Sequence, residues 1–374
     1  MIVDSGDLLN EDEVISESAR TAAELKAELI VSIYQQLGIN AANVGELDLA
    51  LGVDYLKSLA EKKNFPFISA NLVDENGRLI FKPYVTTTVN GKTIGIFGLM
   101  GDTAEMASRV NEITNGTVRV KDILEASAAI VKELEGKVDY LIALTHQRAN
   151  RDWVVARRVA GIDLVVGGHD TLKTPDPLRA GDTLIVRAGE MGQRVGILEV
   201  SLDDPASAVN ELVPVSETIP DKPEIRAMIT AYNDRLADIY GAGNEIPDPT
   251  SVVSRVQTCA PCHKAAVAQW EASDHAKAYS TLLSRERNFD PSCLVCHTTL
   301  FDQPGGFSMA QQQMELVNVG CESCHGYGEE HRTTMAPIPI PKPELELCVR
   351  CHTPGRDPTF VQDAQQEFEK IRHW

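Results

Sequence analysis

The chain has 374 residues, 43% of them hydrophobic but only 5% aromatic, and a formal net charge of −19. A length of this order suggests two or three domains, the apolar content is ample for a conventional core, and so acidic a balance argues against a nucleic-acid partner. No run of about 18 apolar residues is present, so no transmembrane helix is expected. The charge is uneven: residues 251–374 hold 11 Lys and Arg against 15 Asp and Glu, net −4, leaving net −15 for the rest.

Residues 1–202 alternate between strand and helix signals. Ile2–Leu9 is a short apolar run broken by Ser5-Gly6-Asp7. Ser16–Leu37 has helical periodicity through Ala19, Ala22, Ala23, Leu25, Leu29, Ile33 and Leu37, with Gly38 as its stop. Phe65–Leu72 predicts a strand, and Tyr84–Val89 and Thr93–Leu99 flank Asn90-Gly91, a strong hairpin signal. Val120–Leu134 predicts a helix. Val138–Thr145 and Ile162–Val166 predict strands around a helix at Arg151–Ala160, and Leu184–Ala188 and Val195–Ser201 predict two more strands. Strands alternating with helices and closed by a hairpin imply an α/β layered sandwich over 1–202.

Residues 203–250 read as a helical linker. Asp203-Asp204-Pro205 ends the sheet region, and Pro223–Tyr240 predicts an amphipathic helix with Ile225, Met228, Ile229, Tyr232, Leu236 and Ile239 on one stripe. Gly241-Ala242-Gly243 stops it, and Ile246–Thr250, with two prolines, predicts a stiff extended connection.

The last domain, 251–374, repeats one signature: Cys259-Ala260-Pro261-Cys262-His263, Cys293-Leu294-Val295-Cys296-His297, Cys321-Glu322-Ser323-Cys324-His325 and Cys348-Val349-Arg350-Cys351-His352. Each is C-x-x-C-H, the attachment sequence of a c-type haem. Two thiols three positions apart reach the two vinyl groups of one porphyrin, and the adjacent His supplies the proximal nitrogen of the iron. Eight cysteines could also make two Cys₄ zinc sites or four disulfides. Neither alternative explains a His after every second Cys, and no Cys lies outside the motifs. The motifs therefore predict four covalently attached haem c groups. That leaves about 31 residues of chain per haem, too few for a conventional core, so the porphyrins are expected to form the core of a mostly α region with little regular structure. Helices are predicted at Ala265–Leu283 and Thr359–Arg372, and an extended proline-rich segment at Ala336–Pro343.

Four irons have eight axial positions, and the motifs fill four. The region offers three further histidines, His275, His331 and His373. Each reads either as a distal ligand or as a solvated surface side chain; His275 lies on the helix after the first motif, where it could swing over a neighbouring haem. At most three haems can then be bis-His from within the region. The fourth would be five-coordinate, take Met309, Met314 or Met335, or borrow a ligand from His146, His169 or a neighbouring chain. Met as an axial ligand would raise the potential of its haem relative to His.

Two resemblances follow. The loops Val3-Asp4-Ser5-Gly6-Asp7-Leu8-Leu9, Asn43-Val44-Gly45-Glu46-Leu47-Asp48, Leu144-Thr145-His146 and Gly167-Gly168-His169-Asp170-Thr171, in that order, resemble the calcineurin-like metallophosphoesterases of the 5′-nucleotidase branch over about 1–202. That family holds two metal ions on Asp, Asn and His ligands from these loops, which suits two-metal hydrolysis. Here Gly6-Asp7, His146 and His169 match. The Asn-His pair of one motif falls on Glu46 and Leu47, the second His of another falls on Thr171, and the opening Asp-x-His strand would precede Met1. The resemblance thus implies a degenerate, N-terminally truncated domain with a vestigial metal site at Asp7, His146 and His169, no catalytic residues and no bound divalent metal. In the last third, Trp270–Ala276 with His275, Cys324–His331, and Gly320–Gly326 resemble the tetrahaem cytochrome that accepts electrons from hydroxylamine oxidoreductase, over about 255–355. That resemblance implies that His275 and His331 are distal iron ligands.

Together these features predict an exported electron-transfer protein with redox protein partners, periplasmic or extracellular. Covalent haem attachment takes place outside the cytoplasm, yet Met1 leads straight into Ile2-Val3-Asp4 without a signal peptide, so the natural chain is expected to begin earlier. An acidic carrier is expected to dock on basic patches of its partners. A homo-oligomer or filament with haems lined up across subunits fits an asymmetric chain whose head-to-tail contacts do not close. The alternative is an oxidoreductase in which one open-coordination haem reduces a small nitrogen-oxide-type ligand.

Overall fold

The Ser16 hydroxyl accepts a hydrogen bond from the Ala19 N–H, and Gly38 leaves the helix at φ 82°, so α1 runs Glu17–Leu37 between the cap and stop that the sequence supplies. The structure, a computed structural model, describes residues 1–202, 204, 207–216, 218–240, 255–309, 313–335, 343–353 and 356–373. Contacts divide the chain into Met1–Met228 and Ile229–Trp374, each taken by itself below. The glycine stop and linker expected at 241–250 and most of the proline-rich segment, 336–342, lie outside the described residues.

Two sheets form the body of the first unit. The smaller is parallel and ordered β1–β2–β3, from Val3–Asp4, Ala41–Asn43 and Phe67–Ile68. The larger is ordered β10–β11–β9–β8–β6–β5. Its interior strands β6 (Lys92–Met100), β8 (Tyr140–His146), β9 (Leu164–Gly168) and β11 (Thr183–Arg187) run parallel. The edges β5 (Tyr84–Val89) and β10 (Leu178–Ala180) are antiparallel. Asn90 and Gly91 both have positive φ, 50° and 79°, as the tight β5–β6 turn requires.

The layers follow from which faces are apolar. Ala41 and Ile68 of the small sheet share one buried cluster with Ile94, Ile96, Ile142, Leu144, Leu164 and Leu184 of the large sheet, so the two sheets pack face to face. The outer face of the small sheet is covered by α1, α2 (Val53–Lys63) and α3 (Ala104–Ile113), through Ala27, Val31, Leu56, Leu59, Met106 and Val110. The outer face of the large sheet is covered by α4 (Ile123–Leu134) and α5 (Ala149–Arg158), through Ile123, Ile130, Leu134, Val155 and Ala156. The result is the α/β layered sandwich expected, in the order helices, sheet, sheet, helices.

Some predicted elements differ in detail. The strand expected at Phe65–Leu72 is two short ones, β3 and β4 (Leu72–Val73). Between them buried Asn71 donates to the Met100 and Lys121 carbonyls and accepts from the Met100 N–H, taking the backbone out of the ladder. A short strand β7 (Arg119–Val120) pairs with β4, and a two-stranded ribbon joins β12 (Arg194–Glu199) to β13 (Val209–Pro214), so strand structure continues past Asp203-Asp204-Pro205 into the stretch expected to be a helical linker. The helix α6 spans Pro223–Tyr240 as predicted.

The second unit has little regular structure, as expected. Its helices are short: α7 (Lys264–Glu271), α8 (Ala278–Leu283), α9 (Pro291–His297), α10 (Cys321–His325), α11 (Glu329–Thr334), α12 (Leu345–Cys348), α13 (Pro358–Gln362) and α14 (Ala364–Ile371). The helix predicted at Ala265–Leu283 is broken at Ala272-Ser273. The Ser273 hydroxyl turns back onto the Trp270 carbonyl, and Asp274–Lys277 continues as a 3₁₀ turn that carries His275. The helix predicted at Thr359–Arg372 is likewise two helices, parted at Asp363. One modest apolar cluster, with Tyr279, Leu282, Leu294, Phe307, Met314 and Leu316, is buried in this unit.

Candidate metal centre and haem-binding region

In the first unit, four chain segments bring polar side chains to one end of the sheets. Asp7 follows β1, Glu46 follows β2, His146 ends β8 and His169 follows β9. These are carboxyl ends of parallel strands, the usual location of a site in such sheets. The first two loops interlock. Buried Asp48 accepts hydrogen bonds from the N–H groups of Asp7, Leu8, Leu9 and Gly45 at 2.8–3.0 Å. Gly45 must be glycine, because a Cβ there would lie 2.2 Å from Asp7 Oδ1. The loop carrying His169, whose φ is +75°, is held from below by buried Arg187, which pairs with Asp152 and Asp170 and donates to the Gln147 and Gly168 carbonyls.

One donor atom from each of Asp7, Glu46, His146 and His169 lies within 4.8 Å of the other three. His146 Nε2 stands 3.0 Å from Asp7 Oδ2, 2.9 Å from Glu46 Oε2 and 3.2 Å from His169 Nδ1. Its other nitrogen, Nδ1, is 3.0 Å from the Ser5 carbonyl, which can only accept and so fixes the proton on Nδ1. The Nε2 lone pair of neutral His146 is therefore aimed at two carboxylates. That is stable only with a positive charge between them, either a second proton on the ring or a metal cation. In the absence of metal, burial pulls the His146 pKa down, but the Asp7 and Glu46 carboxylates outweigh it and raise it well above 6.5. Burial likewise pushes Glu46 up, and the two imidazoles more than reverse this. Arg109 adds a further cation 3.0 Å from Glu46 Oε1.

Sequence alone, with two imidazoles of the pattern lost, predicts that a divalent metal binds here weakly or not at all. The geometry runs against that expectation: four oxygen and nitrogen donors converge at separations that suit one cation. Glu46, counted from sequence as a lost ligand, supplies a carboxylate oxygen in place of an amide one. Leu47 and Thr171, where the family pattern has histidines, are not part of the group. Leu47 points its N–H at Asp7 Oδ1, and Thr171 is exposed. Among the described residues, Asp7, Glu46, His146 and His169 are thus the one group of donors brought together for a cation.

In the second unit, each motif closes one helical turn. The N–H of His263 bonds to the Cys259 carbonyl and that of His352 to the Cys348 carbonyl, both at 2.9 Å, while the second and third motifs lie on α9 and α10. The turn puts the two cysteines of a motif on one face. All eight cysteines are free of disulfides. Thiols of different motifs also meet, Cys259 with Cys321 and Cys296 with Cys351.

The three extra histidines each face a different motif histidine. Ring centroids are 6.0 Å apart for His263 and His331, 5.9 Å for His275 and His352, and 5.6 Å for His325 and His373. A ligating imidazole nitrogen sits about 2 Å from its metal, so two imidazoles on opposite sides of one iron have centroids about 6 Å apart. The donor sets therefore fit a haem iron between each pair. His297 has no such partner ring among the described residues; its Nδ1 is 2.7 Å from the Ala278 carbonyl and 3.2 Å from the Thr281 hydroxyl. Met314 and Met309 belong to the apolar cluster, and Met335 is exposed.

A layered α/β domain of metallophosphoesterase type is thus followed by a multihaem c-type cytochrome segment. The family model described as cytochrome c554 and c-prime matches residues 258–326. Cytochrome c-554 of Nitrosomonas europaea is 35% identical over 89 residues, 20% of this chain and 38% of that protein. The 5′-nucleotidase of Bos taurus is 28% identical over 240 residues, 56% of this chain and 41% of that protein. Among solved structures, the 5′-nucleotidase precursor of Thermus thermophilus superposes with a TM-score of 0.51 at 24% identity, over 63% of this chain and 49% of that one, a likeness of fold. The chain spans less than half the length of these curated relatives. No helix among the described residues is long and apolar enough to cross a membrane.

Proposed function

We propose that this chain is an exported electron-transfer protein, periplasmic or extracellular, that carries four covalently attached haems and passes single electrons between redox protein partners. The observation that carries the reading is the pairing of three non-motif histidines with three different motif histidines at one common separation. Cys259/Cys262, Cys293/Cys296, Cys321/Cys324 and Cys348/Cys351 would anchor the haems. His263, His297, His325 and His352 would be their proximal ligands, with His331, His373 and His275 the distal ligands on the first, third and fourth. When bound, haem iron supplies a one-electron ferric–ferrous couple; the chain supplies ligation, spacing and burial. Haem and protein quantitation of the exported protein, after acid extraction of loose porphyrin, should give four haems per chain. Zinc in place of haem would overturn the reading.

A second reading is supported by His297, which lacks a facing ring among the described residues. An iron held there with an open position would bind small ligands, as an oxidoreductase acting on a nitrogen-oxide-type substrate requires. Nitric oxide or carbon monoxide perturbing one haem in four, with steady turnover under reductant, would favour the enzyme; ligand binding without turnover favours the carrier.

The first unit serves in this proposal as scaffold or docking surface, not as a phosphoesterase. It offers one divalent-cation site, on Asp7, Glu46, His146 and His169, while Leu47 and Thr171 stand where the family pattern has histidines.

A further inference from the structure

The imidazoles of the second unit are held from behind in unlike ways. His297 Nδ1 meets the Ala278 carbonyl at 2.7 Å, and His373 Nδ1 meets the Ile371 carbonyl at 2.9 Å. His352 Nδ1 instead meets a carboxylate, Asp357 Oδ2, at 2.8 Å. That carboxylate is well anchored. Its other oxygen accepts from the Phe360 N–H at 3.0 Å, capping α13, and from the Thr359 hydroxyl at 2.8 Å. The Phe360 ring, itself buried, stacks on the His352 ring at 4.3 Å and 23°, fixing the plane of the imidazole. With Nδ1 so engaged, Nε2 is the nitrogen left to face His275 across the 5.9 Å gap.

We infer that Asp357 lowers the reduction potential of the haem bound through Cys348, Cys351 and His352, acting through the Nδ1–H of its proximal histidine. The inference rests on the reading above that this motif carries haem. A carboxylate that accepts the ring proton makes the opposite nitrogen a stronger donor, and such hydrogen bonding is one of the levers a protein has on a bound metal. A stronger donor with a full negative charge behind it stabilises ferric iron over ferrous. Reduction adds one electron and breaks no bond. A backbone carbonyl carries only a partial charge, so the same contact at His297 and His373 has a weaker effect. Asp357 acts through His352 and is a positioning residue.

Asp357→Asn in the full-length haem-loaded protein tests this, because the amide oxygen can still cap the helix, while the NH₂ that takes the place of Oδ2 neither carries the charge nor accepts the His352 Nδ1 proton. Asp363, six residues on, is exposed and makes no side-chain cap bond, so Asp363→Asn removes an equal charge without touching a ligand. In a spectroelectrochemical titration, Asp357→Asn should move one haem component to higher potential. The electron paramagnetic resonance g-values of one low-spin ferric signal should change with it, and Asp363→Asn should leave both as they are. Four haems with no component moved, or all components moved alike in both variants, would overturn the inference and leave the haem assignment standing. Peptide mass analysis showing Cys348 and Cys351 without haem would overturn the assignment itself, and this inference with it.

Discussion

His275 and His352 face each other with ring centroids 5.9 Å apart, although one lies in a 3₁₀ turn after the first motif and the other ends the fourth. If they share an iron, His275→Ala should convert one low-spin haem to high spin and leave the other haems unchanged. His331→Ala and His373→Ala should do the same to two different haems, opposite His263 and His325. Electron paramagnetic resonance of the ferric protein reads this directly. Three variants with the wild-type spectrum would contradict the pairing.

The unmutated protein should already show one high-spin or weakly ligated signal from the haem on His297. Four bis-His signals in a proven monomer that also lacks His146 and His169 would show this histidine count to be wrong.

Metal binding to the first unit should saturate at one equivalent of manganese or zinc, measured by equilibrium dialysis and elemental analysis beyond the haem iron. Glu46→Leu or His146→Ala should reduce affinity at least about tenfold, since each removes a donor. Neither the wild type nor the variants should hydrolyse a nucleoside monophosphate. Two equivalents bound, or turnover abolished by His146→Ala, would restore the two-metal enzyme.

Asp48→Asn should destabilise the first unit by roughly 2–6 kcal/mol. Asp48 Oδ1 accepts from Leu8 and Leu9, and Oδ2 from Asp7 and Gly45. An amide must turn its NH₂ toward one pair and leave two buried donors without acceptors, at about 1–3 kcal/mol each. The loss should appear as an earlier far-ultraviolet circular dichroism transition in urea, with the haem absorbance unaffected until higher denaturant.

Arg187→Met leaves the buried Asp152 carboxylate without its cation, which typically costs about 3–5 kcal/mol. Asp152→Asn combined with Arg187→Met should recover part of that loss. A double variant no better than the single one would mean that Arg187 acts mainly through the Gly168 and Gln147 carbonyls.

By itself, the sequence determined what depends on local chemistry. The C-x-x-C-H spacing specified haem attachment whatever the fold around it, because one helical turn is enough to align two thiols and a histidine. The cap at Ser16, the stop at Gly38 and the Asn90-Gly91 turn likewise follow from neighbouring residues, and with strand–helix alternation they announced the layered α/β unit. Non-local geometry lay beyond it. Glu46 read as a lost ligand until folding placed its carboxylate beside His146, and Asp48 and Arg187 gave no signal, since their partners lie on other strands and loops. The helix over Ala265–Leu283 broke because the Ser273 hydroxyl competes for a carbonyl, a choice that periodicity cannot report. The histidine count limited the second unit to three bis-His pairs, but only the tertiary structure decided which ring faces which and that Asp357 stands behind His352. Composition and spacing act along the chain, whereas ligand pairing is set by distances between segments far apart in it.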